Sequence, residues 1–531
     1  VILRRCNGRY EFKCTYEEKS LPKKYHFRWD PTERVWWTKK KEVAAFLAEY
    51  AVPEIKEELQ DLWQSYQNSK KLSSQALLSQ DFPVPEGLQY REFQKVAIQF
   101  ALQREGTLIA DEMGLGKTIE AIGIINASPN IRSVLIICPA NVKLNWKEEL
   151  EKWLVRKMSI QTLFSKDGWT CSDITVVNYD IVSRYQWNKT FDLLILDESH
   201  YIKNPKAQRT RAVQKVKAKK KICLTGTPIL NRPMDLFTTL QLLQPKVWSN
   251  FWSYAMRYCG AYQSAWGWDF RGASHVEELQ ELLRSTVMIR RVKQDVLKEL
   301  PPKTRQVIVL RGDSQINKLL QEEWELWNRT GKKYEDVIDE LSEGANSESL
   351  VVAEMAKLRR RIGELKVPYV IQHLNDLLQD QEKVVVFAHH HSVIDALKNE
   401  FREQCVVIDG NTPPKERQEH IHRFQTSEQI RLFIGSITAA GVGITLTAAS
   451  TVVFAELDWV PGNLSQAEDR CHRIGQRQNV LVHHVVLEGS LDVRIARTVI
   501  SKQEIMDKAM KPEFLPQDVE GEKGPEEPPQ P

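Results

Sequence analysis

Two series of short, uniformly apolar segments, each alternating with helical stretches, constrain this chain more than any single residue does. The first series is "TLIAD" (107–111), "SVLIICP" (133–139), "DITVVNY" (173–179), "FDLLILDE" (191–198) and "KICLTGT" (221–227). The second is "KVVVFAH" (383–389), "CVVIDG" (405–410), "IRLFIGS" (430–436), "STVVFAEL" (450–457) and "VLVHHVV" (480–486). A strand that is apolar on both faces has to be covered on both faces, which is the situation of a parallel sheet between layers of helices. The chain therefore reads as α/β, with two parallel sheets in tandem. Its 531 residues agree, because a core of that size divides into domains.

The stretches around the two series differ in kind. Residues 1–50 contain "YHFRWDPTERVWWTKK", two aromatic strands expected to flank an Asp-Pro turn, and read as a small accessory domain with a β-hairpin. Residues 51–84 read as a helical linker, 85–240 as the first lobe and 241–375 as helical insertions between lobes. The second lobe is expected over 376–510, and the polar, Pro-rich residues 511–531 read as a disordered tail. "SEGANSES" at 342–349 is an expected loop. No apolar run approaches the roughly 20 residues that span a bilayer. "VILRRCNGRY" lacks the apolar segment of a signal peptide, so an intracellular, soluble protein without membrane partners is expected. The eight cysteines include no CxxC pair, which suggests neither a structural zinc nor a disulfide framework. A net charge of +4 says little about nucleic acid, so any basic surface has to be local.

Chemistry enters at "IADEMGLGKT", residues 109–118. Backbone N–H groups and the positive end of a helix can grip a phosphate where glycines let the chain come close. Gly114 and Gly116 supply that freedom, Lys117 can reach the β and γ phosphates, and Thr118 offers a hydroxyl to Mg²⁺. The usual spacing has glycine at 111, where this chain has Asp111. A plausible strand precedes the loop and a plausible helix follows it. The acid that such a site needs at a strand end is in "LLILDESH": Asp197 to hold Mg²⁺, Glu198 to orient and deprotonate the attacking water. "QAEDRCHRIGQ" carries Arg470 and Arg473, which share a face if helical and could stabilise the γ-phosphate. If they serve the same nucleotide as Lys117, the site lies between the two lobes.

Taken together, "FQ" (93–94), "DEMGLGKT", "DESH", "LTGTP", "SITAAGVGITLTAAS" and "QAEDRCHRIGQ" resemble the helicase motifs of superfamily-two ATPases of the Swi/Snf family. An acid in place of the first loop glycine is that family's own form, so the resemblance puts Asp111 in the ATP site. "RYCGAYQSAWGWDFRGASHVEEL", "MIRRVKQDVLKELPPK" and "VVFAHHHSVIDAL" are similar to the annealing-helicase subgroup, which includes HARP-type fork-remodelling enzymes and a zinc-finger-bearing Ran-binding relative. The resemblance covers about residues 85–510 and implies two RecA-like lobes, ATP with Mg²⁺, and sequence-independent movement on duplex or branched DNA. By the same resemblance Gln94 reads the adenine, with Arg91 in the same helix-entry segment. Thr225, Gly226 and Thr227 couple nucleotide state to DNA contact. Gly441, Gly443 and Gln466 belong to the ATP cleft, and Arg470 and Arg473 are its arginine fingers. The zinc-finger, nuclease and single-strand-binding-protein motifs of the large members are not found in this sequence, which leaves fork specificity open.

Three functions stay open on these residues: a duplex translocase that reanneals strands or regresses forks, the same motor acting on DNA-bound proteins, and a nucleotide-gated DNA-binding scaffold. Candidate DNA contacts are Arg28, Trp29, Trp36 and Trp37, where bases and aromatics interleave, although a small domain also needs tryptophans for its core. Arg359 and Arg360 read either as DNA-facing or as a solvated helix end. His389, His390 and His391 have no evident partner for a metal. A monomer is expected.

Overall fold

The computed structural model describes residues 1–73, 80–165, 167–226, 228, 233–264, 267–270, 272–312, 314–330, 350–440, 443–458, 461–490, 492, 493 and 496. Thr227, Gly441, the expected loop 342–349 and the expected tail 511–531 lie outside them. Among the described residues no helix is long and apolar enough to cross a membrane.

The accessory domain is a four-stranded antiparallel sheet in the order β1-β2-β4-β3, with β1 Ile2–Cys6, β2 Arg9–Lys13, β3 Arg28–Asp30 and β4 Val35–Thr38. The expected aromatic hairpin is β3-β4: Trp29 pairs with Trp36, and Asp30 Oδ1 closes the turn by accepting from the N–H groups of Thr32 and Glu33 at 3.0 and 3.2 Å. β1 and β2 were not anticipated, since the polar "LRRC" and "RYEFK" alternate only weakly. Leu3, Tyr10, Phe12 and Phe27 nonetheless bury on one face against helix Pro53–Ser73 through Ile55 and Leu59.

The first lobe is a seven-stranded parallel sheet in the order β13-β5-β10-β9-β6-β8-β7. Its strands are β5 Gly106–Ile109, β6 Val134–Cys138, β7 Ile160–Thr162, β8 Ile174–Asn178, β9 Thr190–Asp197, β10 Lys217–Leu224 and β13 Met288–Ile289. β5, β6 and β8 are buried along their whole length, and cores lie on both faces of the sheet, as doubly covered strands require. A hairpin, β11 Tyr262–Ser264 and β12 Gly267–Asp269, projects from the lobe. The second lobe is a six-stranded parallel sheet, β14-β19-β18-β15-β17-β16. Its strands are β14 Lys303–Leu310, β15 Val384–Ala388, β16 Cys405–Ile408, β17 Leu432–Ser436, β18 Thr451–Phe454 and β19 Val480–Leu487.

The ten expected strands fall in these two sheets, which hold three more: β7, three residues at one edge of the first sheet, and the pair β13 and β14. Both come from the stretch read as helices between lobes. β13 is two residues long, too short for a periodic signal, and completes the first sheet beside β5. β14 is an edge strand whose residues alternate between exposed and half-buried, so its polar "KTRQ" half hides it. The 290–302 connection between β13 and β14 crosses from one lobe to the other.

Candidate functional site

β5 ends at Ile109, and the loop that follows turns through Gly114 (φ 82°) and Gly116 (φ 88°) into helix Lys117–Ala127. Both glycines are left-handed, and both are also crowded. A Cβ on Gly114 would lie 2.8 Å from Arg473 Cβ, and one on Gly116 would lie 2.6 Å from Gln94 Nε2. Glycine is therefore required twice at each position, by backbone and by space. Lys117 Nζ folds back into the loop and donates to the carbonyls of Asp111 and Glu112 at 2.9 and 3.4 Å.

Asp197 and Glu198 stand at the end of β9 beside this loop. Glu198 is held in the left-handed region (φ 49°, ψ 57°), an uncommon conformation for a residue with a side chain and one that recurs at functional sites. Asp197 is fixed by Trp146 Nε1, which donates to its Oδ2 at 2.8 Å, and by the Glu198 N–H on its Oδ1 at 3.0 Å. Burial and the neighbouring Glu198 charge push the Asp197 carboxyl up to about 6. Burial also pushes Glu198 up, but His200, Lys117 and Arg470 outweigh it and hold that carboxyl below its ordinary value. His200 Nδ1 lies 3.3 Å from Glu198 Oε2 without the alignment of a hydrogen bond, so this buried oxygen has no hydrogen-bond partner among the described residues.

The second lobe closes the site. Arg470 and Arg473 lie not on a helix but in the turn that follows helix Pro461–Glu468, and both guanidinium groups donate to the Ile444 carbonyl, at 3.4 and 3.1 Å. Arg470 Nε also donates to the Gln466 carbonyl at 3.0 Å. Burial and the neighbouring Arg473 push Arg470 down to about 10. A cavity of about 170 Å³ between the lobes is lined by Gly114, Gly116, Lys117, Thr118, Asp197, Glu198, Gly443, Arg470 and Arg473, with Asn145 and Glu149. Gly443 (φ 75°) meets the first lobe there, where an added Cβ would lie 2.0 Å from Val142 Cγ1.

Several expected site residues sit one layer behind the cavity. Gln94 ties the loop down, accepting from Arg91 N at 2.9 Å and donating to the Leu115 carbonyl at 3.0 Å. Asp111, expected in the ATP site, does not line the cavity. Its carboxylate is fully buried and turned into the protein, where it pairs with Arg291, whose Nε and N–H both reach Oδ1 at 3.0 Å. An acid this deep is tolerated only with such a partner. Thr225 continues β10 beside β5 through a 3.1 Å bond to the Ile109 carbonyl, and the Gly226 carbonyl accepts from Arg290 at 3.2 Å. Gln466 is buried and does not line the cavity.

Arg290, Arg291 and Lys293, which anchor the phosphate-loop region from beneath, and Trp146, which orients Asp197, are functional residues absent from the sequence-based candidates. Only the basic run in "MIRRVKQDV" could have flagged the first three. Their partners lie about 180 residues away in sequence.

The candidate DNA contacts separate. Trp29 is 48% exposed and packs on Trp36 with ring centroids 5.2 Å apart, while Trp36 and Trp37 are half-buried. Arg28 lies over the Trp37 ring and, with Lys39 and Lys40, lines a groove of about 270 Å³ between the accessory domain and the first lobe. Arg359 is buried in the second lobe, where its charge reaches His389, which corrects the solvated reading; Arg360 pairs with Glu364 one turn on, at 2.9 Å. His390 is bound to Glu456 at 2.7 Å.

Two RecA-like lobes with a charged cleft of this composition define a helicase-type ATPase, and similarity to known proteins agrees. The SNF2-related domain matches residues 56–366 and the helicase conserved C-terminal domain residues 366–475; the chain belongs to the SNF2-related family. Within it, the chain is 36% identical over 429 residues to the SWI/SNF-related matrix-associated actin-dependent regulator of chromatin subfamily A-like protein 1 of Xenopus tropicalis, covering 78% of this chain and 44% of that one. It is 38% identical over 423 residues to the human DNA annealing helicase and endonuclease ZRANB3 (75% and 38%). It is 36% identical over 437 residues to the Caenorhabditis elegans homologue of the first (78% and 61%). The annealing-helicase resemblance is thus borne out, and the chain spans less than half the length of the two vertebrate relatives.

Proposed function

We propose that this chain is a DNA-dependent ATPase that moves along duplex DNA and reanneals or remodels branched DNA. One observation carries the motor reading: Lys117, Thr118, Asp197, Glu198, Arg470 and Arg473, drawn from three stretches of sequence and two lobes, line one cavity. Thr118 and Asp197 present hydroxyl and carboxylate oxygens, the donor set that suits Mg²⁺, and would hold it when it arrives with ATP. The cation would neutralise phosphate charge. Lys117 would exchange the two loop carbonyls for phosphate oxygens. Glu198, one of whose buried oxygens has no hydrogen-bond partner among the described residues, would orient the attacking water and take its proton, and Arg470 and Arg473 would meet charge on the γ-phosphate. Because Arg473 rests on Gly114, nucleotide binding and lobe closure are one event, and each hydrolysis would release the second lobe to shift along the DNA backbone.

The annealing reading comes from the human relative named as a DNA annealing helicase and from the sequence resemblance, and is supported by the basic groove of Arg28, Lys39 and Lys40. A site inside the cell with access to DNA follows. A second reading, a motor that slides or strips DNA-bound proteins, uses the same cleft. The test is the steady-state ATPase rate without DNA and with single-stranded, duplex and forked DNA at one salt concentration, since phosphate contacts are salt-dependent. Stimulation greatest with forked or junction DNA is expected. Equal stimulation by plain duplex would favour the second reading, and no stimulation by any DNA would reject both.

A further inference from the structure

The 288–303 stretch does more than connect the lobes. Its Lys293 is 2% exposed and touches both halves of the nucleotide cleft at once. On the first-lobe side, Lys293 N donates to Glu112 Oε2 at 2.6 Å, inside the phosphate loop, and Lys293 Nζ lies 3.9 Å from Glu112 Oε1. On the second-lobe side, Nζ donates to the His472 carbonyl at 2.6 Å and pairs with Asp469 Oδ1 at 2.9 Å. Asp469 immediately precedes Arg470, and His472 immediately precedes Arg473. The Lys293 side chain also runs beneath the loop, with Cε 3.4 Å from where a Gly114 Cβ would stand, next to Arg473 Cβ. Among the described residues, this one ammonium is held by the arginine turn at its tip and by the phosphate loop at its backbone.

We infer that Lys293 is a positioning residue that sets the arginine turn over the phosphate loop, so that Arg470 and Arg473 are in register with the γ-phosphate when the cleft is closed. The inference rests on reading those arginines as the groups that meet the γ-phosphate. A buried cation with a carboxylate and a carbonyl as partners fixes direction as well as distance, and small misplacements of a transition-state charge are costly. Lys293 is expected to matter to the rate more than to ATP binding, because the arginines act on charge that develops during reaction. The neighbouring Lys303 contacts Asp469 Oδ1 at 2.9 Å and Glu468 Oε2 at 2.8 Å. Asp469 therefore keeps a partner when Lys293 is removed, which favours a folded Lys293→Met chain.

The test uses the whole chain with saturating DNA. Lys293→Met is expected to lower kcat about tenfold or more while the KM for ATP changes less than about threefold. Lys293→Arg should restore part of the loss. Asp469→Asn, with the amide reaching the same atoms, should act in the same direction, and the double variant should be little worse than the poorer single one, as for two ends of one contact. A folded Lys293→Met with unchanged kcat, a KM effect alone, or losses that multiply in the double variant would overturn the inference. Lys117→Ala and Arg473→Ala run alongside: if they too retain turnover, it is the reading of the cleft that fails rather than the role of Lys293.

Discussion

The cleft between the lobes and the seam between the accessory domain and the first lobe are both interdomain contacts, built from different materials. Across the cleft, glycines meet side chains: Gly114 lies under Arg473 and Gly443 against Val142. Polar pairs also join the lobes, Lys293 on Asp469 and Gln418 on Glu148, with one small apolar contact where Ile474 packs against the Phe93, Leu115 and Leu297 cluster. At the seam, the His26 ring packs edge-on to Trp248 and Tyr258 at 5.5 and 5.6 Å, and Tyr25 and Phe46, stacked on each other at 4.7 Å within the accessory domain, pack together against the first-lobe core. Lys24 and Lys70 converge on Glu281, and Glu42 meets Lys246. Polar contacts trade with water at a net cost of about 1 kcal/mol each, whereas separating aromatic surfaces loses burial that water does not replace. The cleft is made to open and close. The seam is made to keep the accessory domain on the first lobe, so that the groove of Arg28, Lys39 and Lys40 travels with it.

The largest way to break this contrast is to remove the chemistry from the cleft. Lys117→Ala or Glu198→Gln should lower ATP turnover by about a hundredfold or more, while DNA binding, read by fluorescence anisotropy, changes little. Persisting turnover in either would undo the site assignment. A smaller change sharpens it. Gly443→Ala puts a Cβ on Val142 Cγ1, a clash borne only when the lobes meet, and a side chain at φ 75°, a strain of roughly 1–3 kcal/mol within the loop itself. We expect kcat to fall about tenfold, and Val142→Ala in the same chain to recover part of it by relieving the clash. Recovery absent despite a folded chain would mean that Gly443 serves the loop's own backbone and not closure.

The cleft was largely legible in the sequence because its chemistry is local: a glycine loop after a strand and two acids at a strand end announce themselves within ten residues. Its supports were not. Asp111 reads as a loop residue, yet its side chain points into the protein, because Arg291 arrives beneath it from a strand of two residues. Lys293 and Asp469 are 176 positions apart in the chain and meet only because β13 and β14 belong to different sheets. β14 escaped because an edge strand need be apolar on little more than one face, so its pattern resembles a charged helix as much as a strand. Arg359 misled for the opposite reason: three arginines in a row suggest a surface, and the helix turns one of them inward.

The smallest effect tests the seam. His26 Nε2 is buried without a hydrogen-bond partner among the described residues, and burial pushes the imidazole down to about 4, with Arg257 and Lys40 adding to the shift and Glu278 opposing it. With the accessory domain detached, the ring regains its ordinary value of 6.5. The undocked state therefore binds the proton more readily. Docking is at full strength above about pH 6.5 and weakens as pH falls toward 4, by about 1.4 kcal/mol for each unit below 6.5. Carboxylates such as Glu281 and Glu42 titrate lower, so the interval from about pH 7.5 to 5.5 isolates the histidine. Protection factors of residues 20–40, which correct amide exchange for its own pH dependence, should fall as pH drops across that interval in the natural chain and stay level in His26→Phe, which keeps the ring packing on Trp248 and Tyr258 and has no proton to gain. Equal protection at both pH values in the natural chain would mean that the ring is already solvated, and the seam would then be held by its ion pairs and by the packing of Tyr25 and Phe46 on the first lobe.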